Sequence, residues 1–162
     1  RQDNVDSDTR LRTILLELVN LSHVTNVILP VHPRVRLRLA KLQDQEIYIS
    51  PGLKIIDPLG YFDMQFLLSQ CLAVVTDSGG LQKEAYFHEK HCITLRRETE
   101  WVETIQSGAN RLVYDFEEKS LSRVFLELPK NQRNFKPLYG DGFASKKIVN
   151  EILNFHNSFL KK

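Results

Sequence analysis

Short uninterrupted apolar runs alternate with longer stretches of helical period along this sequence, and that alternation restricts the fold more than any other feature. The runs Val27-Ile28-Leu29-Pro30-Val31, Leu53-Lys54-Ile55-Ile56, Leu72-Ala73-Val74-Val75-Thr76, Cys92-Ile93-Thr94-Leu95 and Arg111-Leu112-Val113 predict five strands. The first of them, stopped by His32-Pro33, has the profile of a strand buried on both faces. Leu11, Ile14, Leu15, Leu18, Val19 and Leu21 recur at helical spacing and predict a helix over about residues 8–21, with Asp6, Ser7 and Asp8 as candidate caps. Further helices are expected at about 34–42, 61–70, 78–88, 100–107, 117–127 and 142–160. Strands and helices in this order argue for right-handed βαβ units, one parallel sheet and an α/β fold.

With 162 residues the chain suits one compact domain over 1–162. Its net charge is only +2, with both signs interspersed, which gives no support to nucleic-acid binding, since that usually needs a concentrated basic face. Arg34, Arg36, Arg38 and Lys41 cluster on the second helix and read as a solvated face. No apolar stretch is long enough to span a membrane, and the start carries no signal-peptide pattern. Cys71 and Cys92, each inside an apolar run, read as small buried hydrophobes of a reducing compartment, so a cytoplasmic setting is expected. Neither cysteine has metal-ligand spacing around it. The abrupt beginning at Arg1 reads as a fragment boundary.

In a parallel sheet, ligands bind beyond the carboxyl ends of the strands. The loops richest in unusual residues all follow strands: His32-Pro33, Asp57-Pro58-Leu59-Gly60, Asp77-Ser78-Gly79-Gly80 and Arg96-Arg97-Glu98-Thr99. The third is the sharpest, because a buried strand there runs into two glycines and then a helix. Glycines permit close backbone approach, and a helix start aims unpaired N–H groups and a positive dipole end at an anion. The Ser78 hydroxyl can donate to a phosphate oxygen, and Glu84, four residues after Gly80 on the same face, suits ribose hydroxyls. A tight turn with Asp77 or Ser78 as N-cap accounts for the same residues without a ligand. Arg96 at a strand end can neutralise phosphate or simply pair with Glu100. His32 either lines the rim or fixes its own turn. Glu98 and Glu103 read as solvated complements to a helix dipole, and His23, His88, His91 and His156 as surface or packing residues.

Asp77-Ser78-Gly79-Gly80-Leu81-Gln82-Lys83-Glu84-Ala85 resembles a motif of the non-hydrolysing UDP-N-acetylglucosamine 2-epimerases. Leu95-Arg96-Arg97-Glu98-Thr99-Glu100 with Ser107-Gly108 resembles a second one. Asn4-Val5-Asp6, Pro30-Val31-His32-Pro33-Arg34, Pro58-Leu59-Gly60-Tyr61 and Tyr139-Gly140-Asp141-Gly142 match further segments in the same order. The resemblance runs from about Arg1 to Ile152 and implies one Rossmann-like half, with helices on both sheet faces, of a two-domain GT-B fold whose active site lies between the halves. It implies a reaction that inverts carbon 2 of UDP-N-acetylglucosamine by eliminating and re-adding UDP, with no redox cofactor and no obligatory metal. It places Ser78, Gly79 and Gly80 on the diphosphate, Glu84 on the ribose, and Arg96, Glu100, His32 and Arg1 along the cleft. The catalytic acid–base groups fall in an absent amino-terminal half and just before Arg1, so none is expected in residues 1–162. A homodimer is the family's expectation, and the final helix is expected to pack toward the absent half.

Three positions depart from the family pattern: Trp101 replaces an arginine that contacts nucleotide in many members, and Leu59 and Met64 stand where some members make other nucleotide contacts. The rival readings are another GT-B sugar-nucleotide enzyme, such as a hydrolysing epimerase or a glycosyltransferase, and a non-catalytic nucleotide-sugar sensor.

Overall fold

The computed structural model describes residues 2–42, 50–129 and 135–159. Arg1 lies outside them, as do the side chains of Arg34 and Lys41. A short helix α1 (Gln2–Val5) leads into α2 (Asp8–Ser22), whose N-cap is Ser7, its side chain accepting from Arg10 N at 3.2 Å. Then follow β1 (Val27–Pro30), α3 (Pro33–Leu42), β2 (Leu53–Ile56), α4 (Tyr61–Gln70), β3 (Ala73–Thr76) and α5 (Gly79–Phe87). The order closes with β4 (His91–Thr94), α6 (Val102–Gln106), β5 (Asn110–Leu112), α7 (Leu121–Leu126) and α8 (Ala144–Phe159). All five expected strands are present to within a residue or two, and all strand pairs are parallel.

Two details differ from expectation. The ladders join the strands as β1–β2 and β3–β4–β5 rather than as one hydrogen-bonded sheet. Packing supplies the continuity instead: Leu11, Leu15, Leu18, Val31, Leu53, Ile93, Leu95 and Leu121 belong to one buried cluster that spans both sets, with α2 and α7 over it. Secondly, β1 is not covered on both faces, for Ile28 is 44% exposed. The fully buried strand is β4, the middle of its set and covered along its whole length. A continuous apolar run did not distinguish the two, since burial depends on strand order and not on composition alone.

Buried Cys92 packs beside Leu68, Val74 and Ala85, and burial pushes its thiol up to about 12. Cys71 is half-buried and likewise shifted upward, chiefly by burial, so neither resembles a reactive thiol. On α3, Arg36 pairs with Asp57 at 2.7 Å, and Arg38 pairs with Asp6 at 3.4 Å and Asp8 at 3.1 Å, so these two members of the basic cluster face neighbouring carboxylates. Every described residue of α8 is exposed, including Ile148, Val149, Ile152, Phe155 and Phe159. Among the described residues no helix is long and apolar enough to cross a membrane.

Gly52, just ahead of β2, has no room for a side chain. A Cβ there would sit inside contact distance of the Ser22 main-chain oxygen, which cannot swing away. The neighbouring Ser22 and Ser50 hydroxyls are hydrogen-bonded to each other. Gly52→Ala is therefore expected to lower stability by about 1–3 kcal/mol, the usual range for overpacking, as measured by urea unfolding.

Candidate diphosphate site at the start of helix α5

Parallel pairing sets Thr76 opposite Thr94, so the loops leaving β3 and β4 emerge side by side at the carboxyl rim. The loop from β3 turns straight into α5. Ser78 is the N-cap, its Oγ accepting from Leu81 N at 3.3 Å, which leaves the hydroxyl proton available for donation. The Ser78 N–H is used locally on Thr76 Oγ1 at 3.1 Å, and Gln82 N–H makes the first helical bond, to Ser78 O at 3.2 Å. The N–H groups of Gly79 and Gly80 carry no hydrogen bond among the described residues. A helix normally starts with four such donors, and here capping leaves two on adjacent glycines at the positive end of the dipole. Two adjacent amides without side chains in front of them form an anion cradle. The capped-turn reading is realised, and the cap still leaves two donors that an anion could take.

The carbonyl side of the turn is held from below. Gln82, 1% exposed, donates from Nε2 to Ser78 O at 3.3 Å, and its Oε1 accepts from Thr99 Oγ1 at 2.6 Å and Asn110 Nδ2 at 3.1 Å. Asn110 continues the chain to Thr94 at 2.8 Å and to Thr104 at 3.3 Å, all of them buried. Trp101 donates from Nε1 to Gly79 O at 2.8 Å. On the other side Asn4, 5% exposed, donates to Asp77 Oδ2 at 3.0 Å and Leu95 O at 2.9 Å, tying α1 to the ends of β3 and β4.

Of the expected site residues, Ser78, Gly79, Gly80, Arg96 and Glu100 come together. Arg96, 9% exposed, pairs with Glu100 through Nη1 and Oε2 at 2.7 Å, and the Glu100 carboxylate lies against Gly79. The pairing reading of Arg96 is thus realised, and its charge offsets a carboxylate that would otherwise oppose an anion at the turn. Glu84 is on the first turns of α5 as expected, with Oε2 accepting from Gln65 Nε2 of α4 at 2.7 Å; Gln65 in turn meets His88 at 2.7 Å. His32 is exposed in the loop after β1, its carbonyl accepting from Val35 and Arg36 at the start of α3. Met64 packs on the small core of Leu68, Val74, Ala85 and Cys92, so packing accounts for it. Leu59 is half-buried in the loop before α4.

The cleft on this rim, about 370 Å³, is lined by Asp3, Asn4, Leu95, Arg96, Arg97, Glu98 and Tyr114. It shares only Arg96 with the residues expected from sequence. The glycine turn is open to solvent at Ser78 and Gly80, and it is identified by its unspent donors instead. Among the described residues no group of three or more His, Cys, Asp or Glu is placed to hold a metal ion.

A glycine turn with two unspent amides, flanked by the ordered motifs around it, is matched by a family model described as UDP-N-acetylglucosamine 2-epimerase over residues 1–153. The chain belongs to the UDP-N-acetylglucosamine 2-epimerase family. It is 39% identical over 150 residues to the UDP-2,3-diacetamido-2,3-dideoxy-D-glucuronate 2-epimerase of Pseudomonas aeruginosa, covering 92% of this chain and 41% of that protein. It is 36% identical over 152 residues to the UDP-N-acetylglucosamine 2-epimerase of Methanocaldococcus jannaschii, covering 92% of this chain and 41% of that one. The solved structure of the Methanocaldococcus jannaschii UDP-GlcNAc 2-epimerase superposes with a TM-score of 0.84 at 35% identity, over 96% of this chain and 44% of that one. The same enzyme in complex with UDP-GlcNAc and UDP gives 0.81 over 96% and 43%. This epimerase-family chain therefore spans about two fifths of the length of the relatives it matches. Its fold is α/β and Rossmann-like, one half of a GT-B-type architecture.

Of the residues that build this site, sequence reasoning passed over Asn4, Thr76, Gln82 and Thr99 as individuals. Gln82 had a readable signal: it lies four residues after Ser78, so on a helix its side chain returns to the turn.

Proposed function

We propose that residues 1–162 form the UDP-binding half of a UDP-N-acetylglucosamine 2-epimerase that interconverts UDP-N-acetylglucosamine and UDP-N-acetylmannosamine. The observation that carries the reading is the pair of unspent Gly79 and Gly80 amides at the head of α5. In this role Ser78, Gly79 and Gly80 hold the diphosphate, with Ser78 Oγ adding a donor, and Glu84, steadied by Gln65, takes ribose hydroxyls through Oε1. Arg96, Glu100 and His32 are assigned to the sugar side of the site by the resemblance, as is Arg1, which lies outside the described residues.

In the reaction, a base removes the proton at sugar carbon 2 while the bond between carbon 1 and the UDP oxygen breaks. UDP then returns to carbon 1 as carbon 2 is reprotonated from the opposite face. What this half contributes is a fixed anion cradle that stabilises UDP as it departs and keeps it in place for return. The acid–base groups belong to the amino-terminal half, on which the bare apolar face of α8 packs. The whole protein works without a cofactor in the cytoplasm, as a homodimer, supplying nucleotide sugar for polysaccharide biosynthesis.

Calorimetry is expected to detect UDP binding to residues 1–162, while an epimerisation assay gives turnover only with the amino-terminal half present. Turnover by residues 1–162 alone overturns the division of labour. The Pseudomonas aeruginosa relative favours a second reading, in which the sugar carries a carboxylate at carbon 6. Assaying the full-length protein with both UDP-sugars separates the two, and release of free sugar or transfer to an acceptor would identify a hydrolase or glycosyltransferase.

A further inference from the structure

The two donors that define the turn belong to two consecutive peptide planes. Because a trans peptide is planar, its carbonyl and the following N–H point in opposite directions, and fixing one end fixes the other. The plane carrying the Gly79 N–H is held by its Ser78 oxygen, which takes the Gln82 Nε2 bond at 3.3 Å. The plane carrying the Gly80 N–H is held by its Gly79 oxygen, which takes the Trp101 Nε1 bond at 2.8 Å.

Trp101 is itself clamped. Its own N–H donates to Thr99 Oγ1 at 3.1 Å, and Lys83 Nζ lies 4.2 Å from the centre of its ring. The Tyr139 ring meets the indole edge-on, 6.1 Å between centroids at 86°, and the same Lys83 ammonium lies 4.5 Å from the Tyr139 ring centre. Cation–π contacts of this kind favour one ring orientation and thereby one direction for the indole N–H.

Resting on the diphosphate reading above, we propose that Trp101 is a positioning residue for diphosphate binding, acting through the Gly79 carbonyl to aim the Gly80 N–H at a phosphate oxygen. It has no need to touch the nucleotide. Lys83 and Tyr139 serve the same end by holding the indole, and the Thr99 hydroxyl, which accepts from the Trp101 main-chain N–H and donates to the Gln82 side chain, ties together the two residues that brace the planes.

The test replaces Trp101 in the full-length protein with β-(3-benzothienyl)alanine, which keeps the ring shape and exchanges the N–H for sulfur, alongside Trp101→Phe. UDP and uridine affinities are measured on both and on the unsubstituted protein. Loss of one hydrogen bond that preorganises the site is expected to weaken UDP roughly five- to tenfold. Uridine, which has no phosphate, is expected to bind unchanged, and the unfolding temperature of the benzothienyl protein stays near that of the parent. Equal UDP binding in the presence and absence of the ring N–H overturns the inference, as does an equal weakening of uridine, which would mark direct contact with the nucleoside. Failure of the unsubstituted protein to bind UDP is a different result: it removes the diphosphate reading itself, and this inference with it.

Discussion

Gly79→Ala is expected to weaken UDP binding by roughly a hundredfold, about 2.8 kcal/mol at 1.4 kcal/mol per decade. A Cβ at this position falls inside contact distance of Glu100 Oε1. That oxygen is not the loose end of a flexible side chain, because the same carboxylate is gripped by Arg96 at 2.7 Å. Accommodating the methyl group means dislodging Glu100, which strips Arg96, only 9% exposed, of the partner that compensates its burial. Relaxation of the turn in the other direction rotates the peptide planes that carry the two amides. Either route misaligns the cradle. Gly80→Ala is the control, since a Cβ there meets nothing nearer than Ser78 Oγ at 3.9 Å. It is expected to fold as the parent does, so any loss of UDP affinity in that variant reports on ligand approach alone. Calorimetry with UDP and thermal unfolding on the two variants provide the comparison. Parent-like affinity in Gly79→Ala would show that the carboxylate against the turn does not set the site.

Replacing Gln82 by Met is expected to lower stability by about 2–4 kcal/mol, although the two side chains are similar in size. Gln82 is 1% exposed and makes three hydrogen bonds inside the protein, to Ser78 O, Thr99 Oγ1 and Asn110 Nδ2. Methionine fills the space but offers no comparable acceptor. One Asn110 N–H then stays buried and unsatisfied, and the half-buried Thr99 hydroxyl loses its acceptor, each costing about 1–3 kcal/mol. Ser78 O suffers less because the main-chain N–H of residue 82 still reaches it at 3.2 Å. Urea unfolding measures the difference. A change below about 0.5 kcal/mol, the scale of an ordinary surface substitution, would mean that water replaces the lost partners.

The order of strands and helices was legible because a four-residue apolar run and a 3.6-residue period leave different marks on a sequence. The glycine turn was legible for the same reason, lying where one pattern changes to the other. What could not be read were contacts between residues far apart in the chain. Gln82 meets Asn110 across 28 positions, Glu84 meets Gln65 across 19, and Asn4 meets Leu95 across 91. No local period records such pairs. Strand order is equally non-local, which is why partly covered β1 and buried β4 looked alike. Arg96 and Glu100 form the intermediate case: four residues apart, they were foreseen as a pair, but the proximity of that pair to Gly79 was not. Trp101 stood out only as a departure from a family pattern, and its bond to the Gly79 carbonyl gave the departure a physical meaning.

That bond has a practical side. Trp101 is the sole tryptophan among the 162 residues, and its ring nitrogen is coupled to the very backbone that would greet an incoming anion. Glycine turns are optically silent, yet this one comes with a native chromophore. Steady-state emission from residues 1–162 can therefore follow occupancy of the turn without a dye, a spin label or an isotope.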